Sequence, residues 1–249
     1  MSGFTVAIMT RHTVLLAHGV GSTIEDSFGP ILDTLAREHT VIAQDYPGSG
    51  ATPPEPLTLD SLADRLVAGV EGPFTVLGFS TGTAVAVRIA TRHPDRVNGL
   101  ILTAGFGYPE PHLRLAINVW RRLIESGDQT ALAEYLTLIC HSTDYLATAD
   151  VPALVSEVAK WLAQDPIPGA IAQLDMALDV DVRPDLPGVR VPTLVLPARG
   201  DVLCTPGHSR VLAAGIPGAR LAELDCGHAV AEENGAAWAA EVLGFLSAV

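Results

Sequence analysis

The sequence predicts an α/β fold: a doubly wound, mostly parallel sheet with a helical cap inserted between two late strands. Three observations predict it. Short, β-branched apolar runs recur along the 249-residue chain and alternate with helical patterns. These runs are apolar on both faces, as strands covered by helices on each side should be. Between residues 108 and 185 the strand-like runs vanish and helical patterns replace them.

The elements follow in order. Residues 4–9 are a candidate antiparallel edge strand, and 13–17 (TVLLA) a strand ending at His18-Gly19. A helix is expected over 28–38, a strand over 40–43 ending at DYPGSG, and a helix over 59–70. Strand 75–79, helix 81–93 and strand 97–103 come next. The inserted helices fall at 113–126, 130–140, 152–164 and 166–177, separated by SGD, HSTD and QDP, which break or cap helices. Strands resume at 192–196 and 219–224, and a helix at 236–246 closes the chain. The expected organisation is a core of residues 1–107 and 186–249 carrying a helical cap, or lid, of residues 108–185.

Composition narrows the function. The chain is 48% hydrophobic and 17% charged, enough to bury a large core. Its formal net charge of −13 repels nucleic acid and other polyanions and is otherwise read as solubility; the expected small-molecule substrate rests on the serine chemistry instead. No apolar run approaches the ~20 residues of a membrane helix, and the first residues, MSGFTVAIMTRH, carry no secretory signal. Three cysteines, Cys140, Cys204 and Cys226, are too few and odd for a disulfide framework and fit a cytoplasmic location.

The chemistry centres on Gly78-Phe79-Ser80-Thr81-Gly82, a G-x-S-x-G pattern behind a strand and ahead of a helix. That context is the one a nucleophile elbow requires. A sharp turn lifts the serine above the sheet beside a helix N-terminus, where free N–H groups favour developing negative charge. The blander role for Ser80 is a plain N-cap, and short patterns of this kind also recur by chance. Upstream, His18-Gly19-Val20-Gly21-Ser22 is a glycine-rich loop at a strand's carboxyl end, which lets backbone N–H groups point into the same cleft. His18 itself reads as a structural hydrogen-bonder.

A serine hydroxyl needs a base, and the base an orienting carboxylate. His228, in CGH directly after the last expected strand, emerges at the same sheet edge as Ser80; His208 is second choice because it opens a helix. His12 and His39 precede strands and sit at the wrong end, while His93, His112 and His141 read as helix-end or lid residues. Asp201, in ARGDVLCTP, follows the strand ending at Leu196 and lies beside the His228 loop. Asp225 is too close along the chain to reach the far side of that imidazole. The alternative role for Asp201 is capping the helix that starts near Pro206.

The resulting order is Ser80, Asp201, His228, the order of the α/β-hydrolases. HGVGS, DYPGSG, GFSTG, RHPDRVNGLIL, the GD of ARGDVL and CGH fall in family order over nearly the whole chain, so the sequence resembles the α/β-hydrolase fold superfamily, with its serine esterase and lactonase members. The resemblance implies an oxyanion hole from the backbone N–H groups of Val20 and Thr81. Two departures stand out: Thr83 replaces a glycine common after this motif, and the N-terminal part is short for the family's first strands. Serine at the nucleophile position argues against epoxide hydrolases and dehalogenases, which carry aspartate there.

The expected reaction is hydrolysis of a small to medium, fairly apolar carboxylic ester or lactone through an acyl-enzyme, with no metal and no organic cofactor. Trp120, Tyr145 and Trp161 of the lid are candidate substrate-binding residues. Carbon–carbon bond hydrolases, thioesterases, acyltransferases, cofactor-free oxidases or haloperoxidases, and non-catalytic ligand receptors of the same fold share the motif.

Overall fold

The structure, a computed structural model, describes residues 11–164 and 167–249. The edge strand expected at 4–9 and the first residue of the helix expected at 166–177 lie outside the described residues. Strands β1 (Thr13–Ala17), β2 (Thr40–Ile42), β3 (Phe74–Phe79), β4 (Val97–Thr103), β5 (Thr193–Leu196) and β6 (Arg220–Leu221) form one sheet in the order β2-β1-β3-β4-β5-β6. Every neighbouring pair among them is parallel.

Helices α1 (Ile24–Glu38), α2 (Leu59–Ala68) and α3 (Gly82–Arg92) follow the first three strands. Five more come between β4 and β5: α4 (Pro111–Ser126), α5 (Gln129–Cys140), α6 (Thr143–Thr148), α7 (Val151–Gln164) and α8 (Ala170–Asp179). Helix α9 (Pro206–Gly215) links β5 to β6, and α10 (Val230–Leu246) follows β6. The strands bury alternate side chains on opposite faces, as a two-residue period dictates. Leu15, Val76, Leu100 and Val195 pack with α2 and α3, whereas Leu16, Leu77, Ile101 and Leu194 pack with Phe28 of α1 and Trp238 of α10.

The winding positions the site. The chain steps outward from β1 to β2, returns past β1 to β3, then adds strands the other way. Winding therefore reverses between β1 and β3, and a crevice opens beyond the carboxyl ends of those strands. The His18–Ser22 stretch leaves one of them and Ser80 the other, with Ala17 registered against Gly78.

The differences from expectation have local causes. Helix α1 begins four residues early because Thr23 and Asp26 form a capping box, Thr23 Oγ1 accepting from the Asp26 N–H and Asp26 accepting from the Thr23 N–H. Ser142 of HSTD accepts from the Tyr145 N–H and so starts the unforeseen α6 rather than merely ending α5. Strand β6 keeps only two paired residues at the exposed sheet edge, and an isolated bridge joins Ala198 to Leu224 beyond it. Helix α10 starts six residues before the expected position, but it is broken at Asn234 (φ −152°, ψ 45°), so its first turn stands apart and carries Glu232 and Glu233.

Candidate active site

Ser80 occupies the left-handed region at φ 54°, in the turn joining β3 to α3. A side chain is strained there, and the surroundings hold it in place. The Ser80 N–H donates to the Thr103 carbonyl of β4 (3.0 Å), and the Thr83 N–H and Oγ1 both donate to the Ser80 carbonyl (3.0 and 2.7 Å). A Cβ on Gly82 would run into the Ala17 carbonyl, and one on Gly78 into that of Gly82. The two glycines thus permit the helix to press against the ends of β1 and β3. Thr83, the departure from the common family motif, adds a tie rather than removing one: its hydroxyl also accepts from the Phe106 N–H (3.2 Å).

The structure brings the three separated residues together. His228 Nε2 lies 3.0 Å from Ser80 Oγ, and His228 Nδ1 lies 2.7 Å from Asp201 Oδ2. All three are buried. The other Asp201 oxygen, Oδ1, accepts from the Leu203 and Cys204 N–H groups, each at 2.8 Å. Asp201 therefore ties down its own loop and faces the imidazole at once, while α9 starts at Pro206 with no side-chain cap on it. Asp225 is exposed and pairs with Arg199. His208 is buried 3.2 Å from Glu110, away from Ser80.

The backbone N–H groups of Val20 and Thr81 have no acceptor among the described residues, and Val20 lines the cavity that holds Ser80. That cavity measures about 300 Å³. The Gly19–Ser22 and His228–Glu232 stretches form its sides, and Trp120, Leu136, Val158 and Trp161 of the inserted helices contribute apolar walls. Trp161 also donates from Nε1 to Asp26 (3.0 Å). Tyr145 is not on the wall: its ring stacks on His141 (5.2 Å between centroids) and its hydroxyl donates to Glu232 (2.7 Å), so it braces two wall residues from behind. Cys140 lines the cavity too, but burial, reinforced by nearby carboxylates, pushes its thiol up to about 12. It stays protonated at neutral pH and does not compete with the serine.

Sequence reasoning missed the residues that hold this geometry. Gln173 of α8 is wholly buried; its Oε1 accepts from the Gly21 N–H (2.8 Å), and its Nε2 donates to Pro47 O (3.1 Å) and Ser49 Oγ (2.9 Å). One amide thereby joins an inserted helix to the two loops after β1 and β2. Its signal was a lone glutamine among apolar residues in AIAQLDMAL, legible as unusual but without a partner. Replacing Gln173 with leucine leaves the buried Gly21 N–H unpaired, and urea denaturation should record a loss of about 1–3 kcal/mol from that group alone.

Glu233 makes a second brace. It accepts from the Gly227 N–H (2.8 Å), the Ser142 N–H (2.8 Å) and Ser142 Oγ (2.7 Å), while the Ala229 N–H donates to the Cys140 carbonyl (2.7 Å). His228 is thus gripped on both sides by the α5–α6 junction. Beside it, both nitrogens of His141 face acceptors, Thr137 O at 2.9 Å and Glu232 Oε2 at 3.2 Å, which favours the imidazolium. Burial pulls the His141 pKa down, but those two partners outweigh it and the pKa is raised; the same contact holds the Glu232 carboxyl below its usual range.

His18 is the opposite case. Nδ1 sits 2.7 Å from Gly19 O, Nε2 accepts from the Tyr46 N–H (2.9 Å), and the ring stacks on Tyr46 at 3.6 Å. Only the neutral Nδ1–H tautomer serves both bonds, and burial lowers the pKa from 6.5 to about 4. Between those values the unfolded chain holds the extra proton, so stability rises with pH. His18 should therefore contribute about 3 kcal/mol of stability at pH 7 that is lost by pH 4. Urea titrations of wild type and His18→Gln over that range test it: the difference between them should carry this slope.

Known proteins complete the description. Residues 14–241 match the family described as the alpha/beta hydrolase family. Among curated relatives, a pyrrolizixenacetamide deacetylase of Xenorhabdus hominickii is 28% identical over 228 residues, covering 89% of this chain and 85% of the relative. A pimeloyl-[acyl-carrier protein] methyl ester esterase of Neisseria meningitidis serogroup B is 30% identical over 221 residues, covering 85% of this chain and 83% of the relative. Among solved structures, the enol-lactonase of Burkholderia xenovorans LB400 superposes with a TM-score of 0.82 at 24% identity, over 96% of this chain and 92% of that one; at that identity the likeness is one of fold.

Proposed function

The chain belongs to the alpha/beta hydrolase family and is an enzyme of it, and from that premise we propose that Ser80 is the nucleophile of an ester hydrolase working through an acyl-enzyme. Ester hydrolysis in general is the activity its relatives support. The finer reading is a small to medium, fairly apolar carboxylic ester or lactone. The observation that carries the nucleophile assignment is the position of His228, hydrogen-bonded at once to Ser80 Oγ and Asp201.

In this reading Ser80 Oγ forms a bond to the substrate carbonyl carbon as its proton passes to His228 Nε2. The oxyanion is held by the Val20 and Thr81 N–H groups, each such donor being typically worth ~3 kcal/mol in the transition state. The C–O bond to the leaving group breaks, and the departing oxygen takes the proton from His228. Water then adds to the acyl carbon, giving a proton to His228; collapse releases the acid and returns that proton to Ser80. Asp201 keeps Nδ1 protonated throughout and steadies the imidazolium.

Residues 108–185 act as a cap over a core of 1–107 and 186–249, and Trp120 and Trp161 contact substrate from it. Support comes from the shared walls of the Ser80 cavity. The free state of Cys140, Cys204 and Cys226 supports a cytoplasmic setting. No helix among the described residues is long and apolar enough to cross a membrane.

A fluorophosphonate probe followed by peptide mapping tests the site, together with a panel of p-nitrophenyl esters. The expected result is a single label on Ser80 and hydrolysis of the panel. Label elsewhere, or no turnover of any ester, sinks the reading.

A further inference from the structure

A second cavity of about 180 Å³ adjoins the first and shares four of its wall residues, Gly21, Trp120, Leu136 and Trp161. Beyond that common wall its lining is mostly apolar, with Leu123 and Ile124 of α4 and Leu132 of α5 at its sides and Gln129 as its polar member. None of the His228–Glu232 stretch touches it, although that whole stretch lines the first cavity. The two cavities therefore differ. One holds the base, with Glu232 and His141 beside it; the other lies past Gly21, on the side of the loop after β1.

A tetrahedral adduct on Ser80 has a fixed sense in such a space. The leaving oxygen must reach the proton on His228 Nε2, so the alcohol half lies on the His228 side. The oxyanion is committed to the Val20 and Thr81 donors. The remaining substituent, the acyl chain, points away from the base, and of the apolar wall residues Trp120, Leu136 and Trp161 also border the second cavity. We propose that the second cavity is an acyl-chain subsite, and that the enzyme takes esters of unbranched apolar acids, with chains long enough to pass Trp120 and Leu136, joined to a compact alcohol. This assignment rests on the ester-hydrolase reading of Ser80 and adds to it which half of the ester carries the specificity.

Two ester series separate the alternatives. One varies the acyl chain from acetate to dodecanoate on a constant p-nitrophenyl group; the other varies a straight-chain alcohol on constant acetate, followed by acid release. The first should gain about fourfold in kcat/KM per methylene once the chain enters the second cavity, then level off; the second should not climb. In Ile124→Trp and Leu123→Trp, an indole fills the second cavity. The ratio of kcat/KM for decanoate over acetate should then fall by about tenfold or more. A ratio taken within one preparation does not depend on how much of it is folded.

A flat acyl series, a climb in the alcohol series instead, or an unchanged ratio in both variants overturns the subsite while leaving the hydrolase intact. Failure to hydrolyse any ester in either series overturns both.

Discussion

Replacing Ser80 with alanine is expected to lower kcat by on the order of 10⁶, leaving ester turnover at background, while the protein folds as before. The size follows from the architecture of the site. Ser80 Oγ, 3.0 Å from His228, is the atom that attacks the carbonyl, and removing it abolishes the acyl-enzyme route. The thiol that shares the cavity, Cys140, is held protonated and cannot take over. Alanine keeps the same Cβ at φ 54°, and the turn's ties run through the Ser80 backbone and Thr83, so stability should stay near that of wild type. Steady-state kinetics on a p-nitrophenyl ester and a thermal melt check both halves. Near-normal turnover in the variant would place the nucleophile elsewhere.

Asp201→Asn should cost on the order of 10⁴ in kcat, a larger loss than its small change of shape suggests. The structure dictates how the new amide must lie. Two N–H groups, of Leu203 and Cys204, point at Oδ1 and require an acceptor there, so the amide oxygen takes that place. The NH₂ group is then forced toward His228 Nδ1. A donor facing Nδ1 selects the tautomer with the proton on Nε2, the nitrogen that must accept from Ser80. Because both backbone bonds survive, the melting temperature should change little. Kinetics and a melt on the same variant test this: a fall in activity matched by a fall in stability would mean that Asp201 mainly builds its loop. Fluorophosphonate labelling of Ser80 should slow in parallel with kcat, since both need the serine proton removed.

The strands were legible because β-branched apolar runs admit few other states, and β1 and β4 carry the expected limits. Helix starts were less so. The beginnings of α1 and α6 depend on side-chain caps at Thr23 and Ser142, and DYPGSG shows a related long-range tie: its Asp45 accepts from the Ile24 N–H, twenty-one positions earlier in the chain. At the candidate site, Ser80, Asp201 and His228 could be read from turn glycines and strand ends. Tyr145 could not be placed: an aromatic residue in a lid can face a cavity or stand behind its wall, and helical spacing does not tell which.

By itself the sequence determined the alternation of strands and helices, the carboxyl-end positions of the chemistry-bearing residues, and their order along the chain. These are local properties, set by side-chain period, turn chemistry and the steric freedom of glycine. Only the tertiary structure decided what Gln173, Glu233 and His141 do, and that a second cavity lies behind Trp120. A hydrogen bond between residues 21 and 173, or a gap between four helices, is a property of distances across the fold, and no local rule encodes those distances.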